Sequence, residues 1–308
     1  MTDKYCLLTN DVETTSIVNN RLSDETGGLV LREGMPLLLD LYAASGIKTT
    51  FFFTAHIAKL YPDVVKMIIP YGHEVASHGY THEIDQAFDL MSLDRQIDHL
   101  KRSKDILEDI SGEEVISFRA PAARVNKDTP LALKETGFKI DSSVASQRFD
   151  MFLSLGSMKK LNWLVAPRKP YFTHSENLWK KGKGEILEIP ISALFMPYIG
   201  TTLRIFPFFS RQLRKVLAME SSISKKPIVF LTHPNEFIRE ESESSKVNRR
   251  SGNFFTYLFS DLIRHHLKLK NLGPGALPIY EKEIAYFNSK EFKFATCKEF
   301  YGAFIKNK

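Results

Sequence analysis

Cysteine is nearly absent: the 308 residues hold two, Cys6 and Cys297. So few exclude a disulfide framework and a zinc site built on thiolates. Long apolar runs are missing as well. The most apolar later stretch, 186–199, is interrupted by Glu188, Pro190 and Pro197 and falls short of the roughly 20 residues a spanning helix needs. The first residues carry Asp3 and no extended apolar core, which argues against a cleavable export signal and leads us to expect a cytoplasmic protein. No G-x-S-x-G elbow, G-x-x-x-x-G-K-[ST] loop or G-x-G-x-x-G turn occurs, so serine-nucleophile, P-loop and dinucleotide chemistry lack their motifs. His73-Glu74 is followed by Val75-Ala76-Ser77-His78, one residue too long for the H-E-x-x-H metalloprotease helix.

What is present suits a folded chain. Hydrophobic residues make up 43% and charged residues 25%, and the length fits one large α/β domain or two ordinary ones. The net charge of +6 is unevenly spread: residues 201–308 hold 19 Lys/Arg against 10 Asp/Glu, and residues 1–200 are slightly acidic. A basic last third suggests an anionic partner. Its clusters, such as Arg211/Arg214/Lys215 and Arg249/Arg250, are too short for a nucleic-acid footprint, so no nucleic-acid partner is expected.

Strand and helix patterns alternate along the chain. Apolar, β-branched or aromatic runs at 5–9, 47–54, 74–77, 115–118, 138–141, 186–191 and 228–232 read as strands. Helical periodicity appears at 32–45, 55–70, 94–110, 130–136 and 208–220. Such alternation predicts a mostly parallel sheet, open or closed into a barrel. Residues 148–184 and 238–251 read as loops. Trp163, Trp179 and the aromatic cluster at 206–209 are expected in the core.

In an α/β barrel, chemistry sits where strands end. Here the strand ends supply Asp11, Glu13, His78, His82, Arg119, Asp141 and His233. His78 and His82 stand at i and i+4; on one helical turn they would share a face and both reach one ion. A third ligand is needed, and Asp11-Val12-Glu13 offers carboxylates on alternate positions, one for the metal and one free as a base. His73 is expected near the site in a structural role. His56, His99, His174, His265 and His266 have no partner pattern and default to surface or satisfied polar roles.

The ordered set D-x-E, H-x-x-x-H, R-x-P, D-S-S and L-T-H, running from about Lys4 to Phe237, resembles the polysaccharide deacetylase family, also called the NodB-homology or carbohydrate esterase 4 family. The stretches REGMPLLLDLYAASGIKTTFFFT and GHEVASHGYTH are similar to it too. The resemblance implies an α/β fold, a distorted (β/α) barrel of about seven parallel strands, spanning 1–308 as one domain with its motifs within 4–237 and a C-terminal extension at 238–308. It implies one divalent metal ion, zinc above others, held by Glu13, His78 and His82. Asp11 would be the general base, kept ionised by Arg119. His233 would be the general acid, paired with Asp141. The backbone N–H near Ala122 would stabilise the oxyanion, with Ala123 standing where the family usually has Gly.

The implied function is a metal-dependent hydrolase that removes an N-acetyl group from an amino sugar in a glycan or glycan precursor, in bacterial surface polysaccharide or lipopolysaccharide biosynthesis. The expected partner is an amino-sugar-containing small molecule, a lipid-linked sugar or a glycan, met by a cytoplasmic protein in peripheral contact with the inner face of the membrane. The alternatives are a deformylase of a lipid-linked aminosugar and a catalytically silent sugar-binding barrel.

Overall fold

The structure is a computed structural model and describes residues 3–147, 163–241 and 264–307. Its spine is seven parallel strands: β1 (Tyr5–Val12), β2 (Thr50–Phe53), β3 (Glu74–Ser77), β4 (Ser117–Phe118), β5 (Ile140–Asp141), β6 (Leu187–Glu188) and β7 (Ile228–Thr232). They lie in the order β7-β1-β2-β3-β4-β5-β6. Beyond β6 the chain bends back until the Ser192 N–H donates to Val229 O of β7 at 3.0 Å. That contact draws the two edges of the sheet together, and the result is the expected distorted (β/α) barrel.

β1 is buried along its whole length, as a parallel strand covered on both faces must be. Tyr5 and Leu7 join Phe52, Ala76, Ile140, Leu187 and Val229 in one apolar cluster, while Cys6, Leu8 and Val12 face the larger cluster beneath the helices. The main helices are α1 (Met35–Ser45), α2 (Ala55–Leu60), α3 (Leu93–Ser111), α4 (Thr129–Glu135), α5 (Gly200–Ile205), α6 (Pro207–Ser224), α7 (Leu277–Ser289) and α8 (Cys297–Lys306). The single helix expected over 55–70 is broken: Pro62 interrupts it, and Asp63–Lys66 and a 3-10 turn at Ile69–Tyr71 follow.

Three further expectations meet a different outcome. Strands β4, β5 and β6 are two residues each, shorter than their apolar runs. The stretch 163–184, expected as loop, contains a hairpin, Tyr171–His174 and Asn177–Lys181, whose first strand pairs antiparallel with β6. Trp163 is buried, but Phe206, Phe208 and Phe209 are exposed rather than core. Residues 148–162 and 242–251 of the expected loops, with Arg249 and Arg250, and the side chains of His265 and His266 lie outside the described residues.

The expected C-terminal extension packs against the barrel where it is described. Lys293–Phe294 pairs parallel with the start of β1. α8 then enters the barrel's lower mouth behind a capping box of Thr296 and Glu299. Its first turn binds the barrel directly: Cys297 N–H donates to Thr50 Oγ1 at 2.8 Å and Lys298 N–H to Glu74 Oε2 at 2.9 Å.

Candidate active site

Side chains alternate along a strand, so Tyr5, Leu7, Thr9 and Asp11 point to one side of β1 and the D-x-E spacing carries Glu13 to the same side. Asp11 is buried, and Arg119 holds it: Nη1 donates to Asp11 Oδ1 at 2.7 Å and to Thr9 Oγ1 at 2.9 Å. The other guanidinium donors are used as well, Nε on Ser142 O and Nη2 on Ser142 Oγ, both at 2.9 Å, with the group resting 4.3 Å from the Phe52 ring centre. Burial alone would raise the Asp11 pKa; the charges of Arg119, His78 and His233 outweigh it and hold the carboxyl below its ordinary value.

Glu13, His78 and His82 bring one ligand atom each within 4.8 Å of one another. Two local details fit this trio to a cation. His78 Nδ1–H donates to Arg119 O at 2.8 Å, so the Nε2 lone pair is left for the site. His82 Nε2 accepts the Ala122 N–H at 3.2 Å yet also lies 3.1 Å from Glu13 Oε2. That oxygen is buried and has no hydrogen-bond partner. Two lone-pair-bearing atoms face each other there, an arrangement that a positive ion between them stabilises. Burial also keeps the His78 imidazole below its ordinary pKa, despite the raising charges of Asp11 and Glu13, and a neutral imidazole is the ligand form.

The two histidines do not meet on a helical turn. Residues 78–83 form a loop, and Gly79 adopts φ +74°, a conformation a side chain would strain. The loop is held from two sides. Gly79 O accepts Ala55 N–H at 2.9 Å and Ser103 Oγ–H at 3.0 Å, and Tyr80 N–H donates to His99 Nδ1 at 3.2 Å. His99 and Ser103 on α3 therefore shape the site without entering it. His73 is structural, accepting the Thr49 N–H at 3.1 Å, but it lies at the opposite end of β3 from His78 rather than near the site.

Asp141 requires a correction. It does not pair with His233. Its carboxylate accepts Ser143 Oγ–H at 2.6 Å and Ser143 N–H at 3.2 Å, and it faces Glu188, its register partner on β6. Burial first, then their mutual repulsion, pushes Glu188 well above the usual carboxylate range; burial likewise raises Asp141. The reason is topological: Asp141 ends β5, while His233 follows β7 on the far side of the β6 closure. The D-S-S run instead supports the R-x-P loop, Ser142 through Arg119 and Ser143 through Ala120 N–H. In that loop Ala122 and Ala123 both hold positive φ, +51° and +52°, so Ala123, where the resemblance implied a Gly, is left-handed.

The partner of His233 is Glu236, Nδ1 to Oε1 at 3.3 Å. Burial would lower the His233 pKa, but the Glu236 hydrogen bond and the charges of Asp11, Glu236 and Glu13 push it up to about 9. Glu236 was missed because the strand-end pattern stops at His233; the available signal was His-Pro-x-Glu, in which Pro234 starts a 3-10 turn and i, i+3 side chains eclipse. Arg204, buried against Glu236, carried no signal in the sequence.

Residues 23–140 match the family model described as polysaccharide deacetylase; this segment holds His78, His82 and Arg119. The chain is 33% identical over 138 residues to the peptidoglycan deacetylase-like protein FGM2 of Gibberella zeae, covering 43% of this chain and 39% of that protein. It is 32% identical over 127 residues to the peptidoglycan deacetylase of Helicobacter pylori, covering 41% and 42%. The matches thus span about two-fifths of each relative's length. A solved structure described as a probable polysaccharide deacetylase from Pseudomonas aeruginosa PAO1 shares the fold, with a TM-score of 0.56 at 16% identity over 95% of this chain and 89% of that one. In its ordered motifs, its barrel and the matched segment between them, the chain is similar to the polysaccharide deacetylase family.

Proposed function

We propose that the protein is a metal-dependent hydrolase that removes an N-acetyl group from an amino sugar in a carbohydrate. The observation that carries this reading is the orphaned, buried Glu13 Oε2 beside His78 and His82, two residues from the Arg119-clamped Asp11. Glu13, His78 and His82 would hold the ion, and an imidazole-rich set with one carboxylate suits zinc. A bound divalent ion supplies polarisation of the amide carbonyl and acidification of a water molecule. Asp11 takes the proton of the attacking water. The Ala122 N–H, which donates to His82 Nε2 in this structure, would be released to the developing oxyanion once that nitrogen holds the ion. His233 gives its Nε2 proton to the amide nitrogen as the C–N bond breaks, leaving acetate and a free amine.

Incubation with N-acetylated amino-sugar oligomers is expected to release acetate and no formate. Formate from a formylated sugar with no acetate from any acetylated one supports the deformylase instead. No acid from either, with zinc bound, supports a silent sugar-binding barrel.

The substrate we favour is a lipid-linked or growing surface glycan, met in the cytoplasm at an anionic membrane face. Free, buried Cys6 and Cys297 suit a reducing compartment, and no described helix is long and apolar enough to cross a membrane. The outer face of α6 supports the surface contact. Phe208, Met219 and Ile223 are 69%, 61% and 79% exposed, with Phe209 and Val216 beside them. The charged residues exposed along this helix are Arg211 and Lys215; its acid, Glu220, is bound to Arg168 and Lys226. An apolar stripe flanked by cations complements an anionic lipid surface. Co-sedimentation with phosphatidylserine vesicles at low salt is expected, and is expected to weaken several-fold at high salt and in the variant Met219→Glu/Ile223→Glu. Equal sedimentation with neutral vesicles, or none at all, removes the membrane contact.

A further inference from the structure

Glu236 and Arg204 are both almost wholly buried, 1% and 2% exposed, and neither belongs to the trio that would hold a metal. Buried charges persist where they are paired and bonded; of the charged atoms of these two residues, Arg204 Nη2 alone lacks a hydrogen-bond partner. Both oxygens of Glu236 are engaged. Oε1 faces His233 Nδ1 at 3.3 Å and accepts Thr201 Oγ1–H at 3.0 Å. Oε2 accepts Arg204 Nε–H at 3.0 Å and the Thr232 hydroxyl at 3.5 Å. The carboxylate plane is therefore set by three elements, α5, the end of β7 and the turn after it.

Arg204 is anchored in turn from beyond the motif-bearing region. Its Nη1 donates to Lys268 O at 3.1 Å and Lys270 O at 2.8 Å, and Asn271 Nδ2 donates to Arg204 O at 2.7 Å. Gly200, at the start of α5, makes the fit possible: a Cβ there would lie 2.4 Å from Glu236 Oε2 and 2.6 Å from Thr232 Oγ1.

We propose that Glu236 is the positioning carboxylate of His233, that Arg204 is its fixed counter-charge, and that the 268–271 segment completes the arrangement. The inference rests on His233 being the general acid. Glu236 accepts the Nδ1–H, which fixes the ring orientation and leaves Nε2 as the atom that delivers a proton to the leaving nitrogen. Arg204 keeps the carboxylate from taking that proton itself; burial favours the neutral acid, and the Arg204 charge and the His233 bond outweigh it.

The test is Glu236→Gln, compared on two substrates and in one spectrum. An N-acetyl amino sugar needs its leaving nitrogen protonated; 4-nitrophenyl acetate, with a stable phenolate, does not. Loss of an outer partner of a working imidazole costs about 10- to 100-fold, so kcat on the amide is expected to fall by that much while ester hydrolysis stays within about twofold. The double variant Glu236→Gln/Arg204→Met removes the unpaired guanidinium and is expected to show the same split if the single variant folds poorly. Equal losses on both substrates, or none on the amide, overturn the proposal.

His233→Ala separates this failure from that of the parent reading: if it too spares the amide, His233 is not the acid. Independently of activity, the wild-type 1H–15N spectrum is expected to show a slowly exchanging His233 Nδ1–H that disappears in Glu236→Gln. Its absence from the wild type, or its persistence in the variant, overturns the positioning role.

Discussion

Asp11→Asn is expected to lower amide hydrolysis by about 10²–10⁴-fold, the span that a positioned general base contributes, while leaving one zinc bound per chain. The two readouts together separate a base from a ligand. Asn keeps the shape of the carboxylate and accepts from Arg119, but it cannot take a proton from water. The proposed ligand atoms are those of Glu13, His78 and His82, the trio that could hold an ion, so metal content should not move. Stability should. The Arg119 guanidinium is 1% exposed and bonded to Asp11 at 2.7 Å. Leaving a buried charge without its counter-ion costs roughly 3–5 kcal/mol, and each kcal/mol is worth at most about 2–4 °C of Tm in a chain as long as this one. Activity within tenfold of wild type would remove Asp11 from the chemistry. Loss of zinc in this variant would make it a ligand instead.

His78→Ala is expected to abolish metal retention and, with it, activity. His78 is buried, and its Nδ1–H is committed to Arg119 O, so its replacement deletes one of three ligands and the bond that orients it. Affinity should fall by more than the roughly 10–100-fold that loss of an outer partner costs. Chelator treatment of the wild type should give the same inactive state, reversed by added zinc; the variant should not recover. A readout without substrate is thermal. Zinc at about 100 times its Kd stabilises a native site by roughly 2.7 kcal/mol, so wild-type Tm rises on zinc addition and that of His78→Ala does not. An unchanged wild-type Tm and no zinc after dialysis would overturn the metal site.

Much of the architecture was legible in the sequence. Seven strand-like runs gave seven parallel strands, because buried parallel strands are apolar on both faces and stand out as short continuous runs. The run at 228–232 coincides with β7. Strand alternation alone places Asp11 and Glu13 on one face. The helix over 55–70 failed at Pro62, a residue whose effect depends on whether packing rewards a break or a kink. The hairpin at 171–181 was hidden because its polar, lysine-rich second strand lacks the alternation that marks a half-buried strand.

The site was legible as a roster of residues and less so as a set of partnerships. His78 and His82 were expected to meet through helical spacing; they meet through a left-handed Gly79 and a loop fastened to α3. Asp141 was expected beside His233, and a carboxylate three residues further along the chain stands there instead.

The sequence by itself determined the seven central strands, the order of the motifs and the residue types able to do the chemistry, since these follow from local periodicity and side-chain character. Only the tertiary structure decided who pairs with whom. Arg119 reaches Asp11 across 108 positions, and Arg204 borrows carbonyls 64 and 66 positions away. Such pairings arise where the curled sheet brings the ends of β1 and β4 together and where the 268–271 segment packs on α5. They depend on strand register and barrel curvature, which no local pattern encodes.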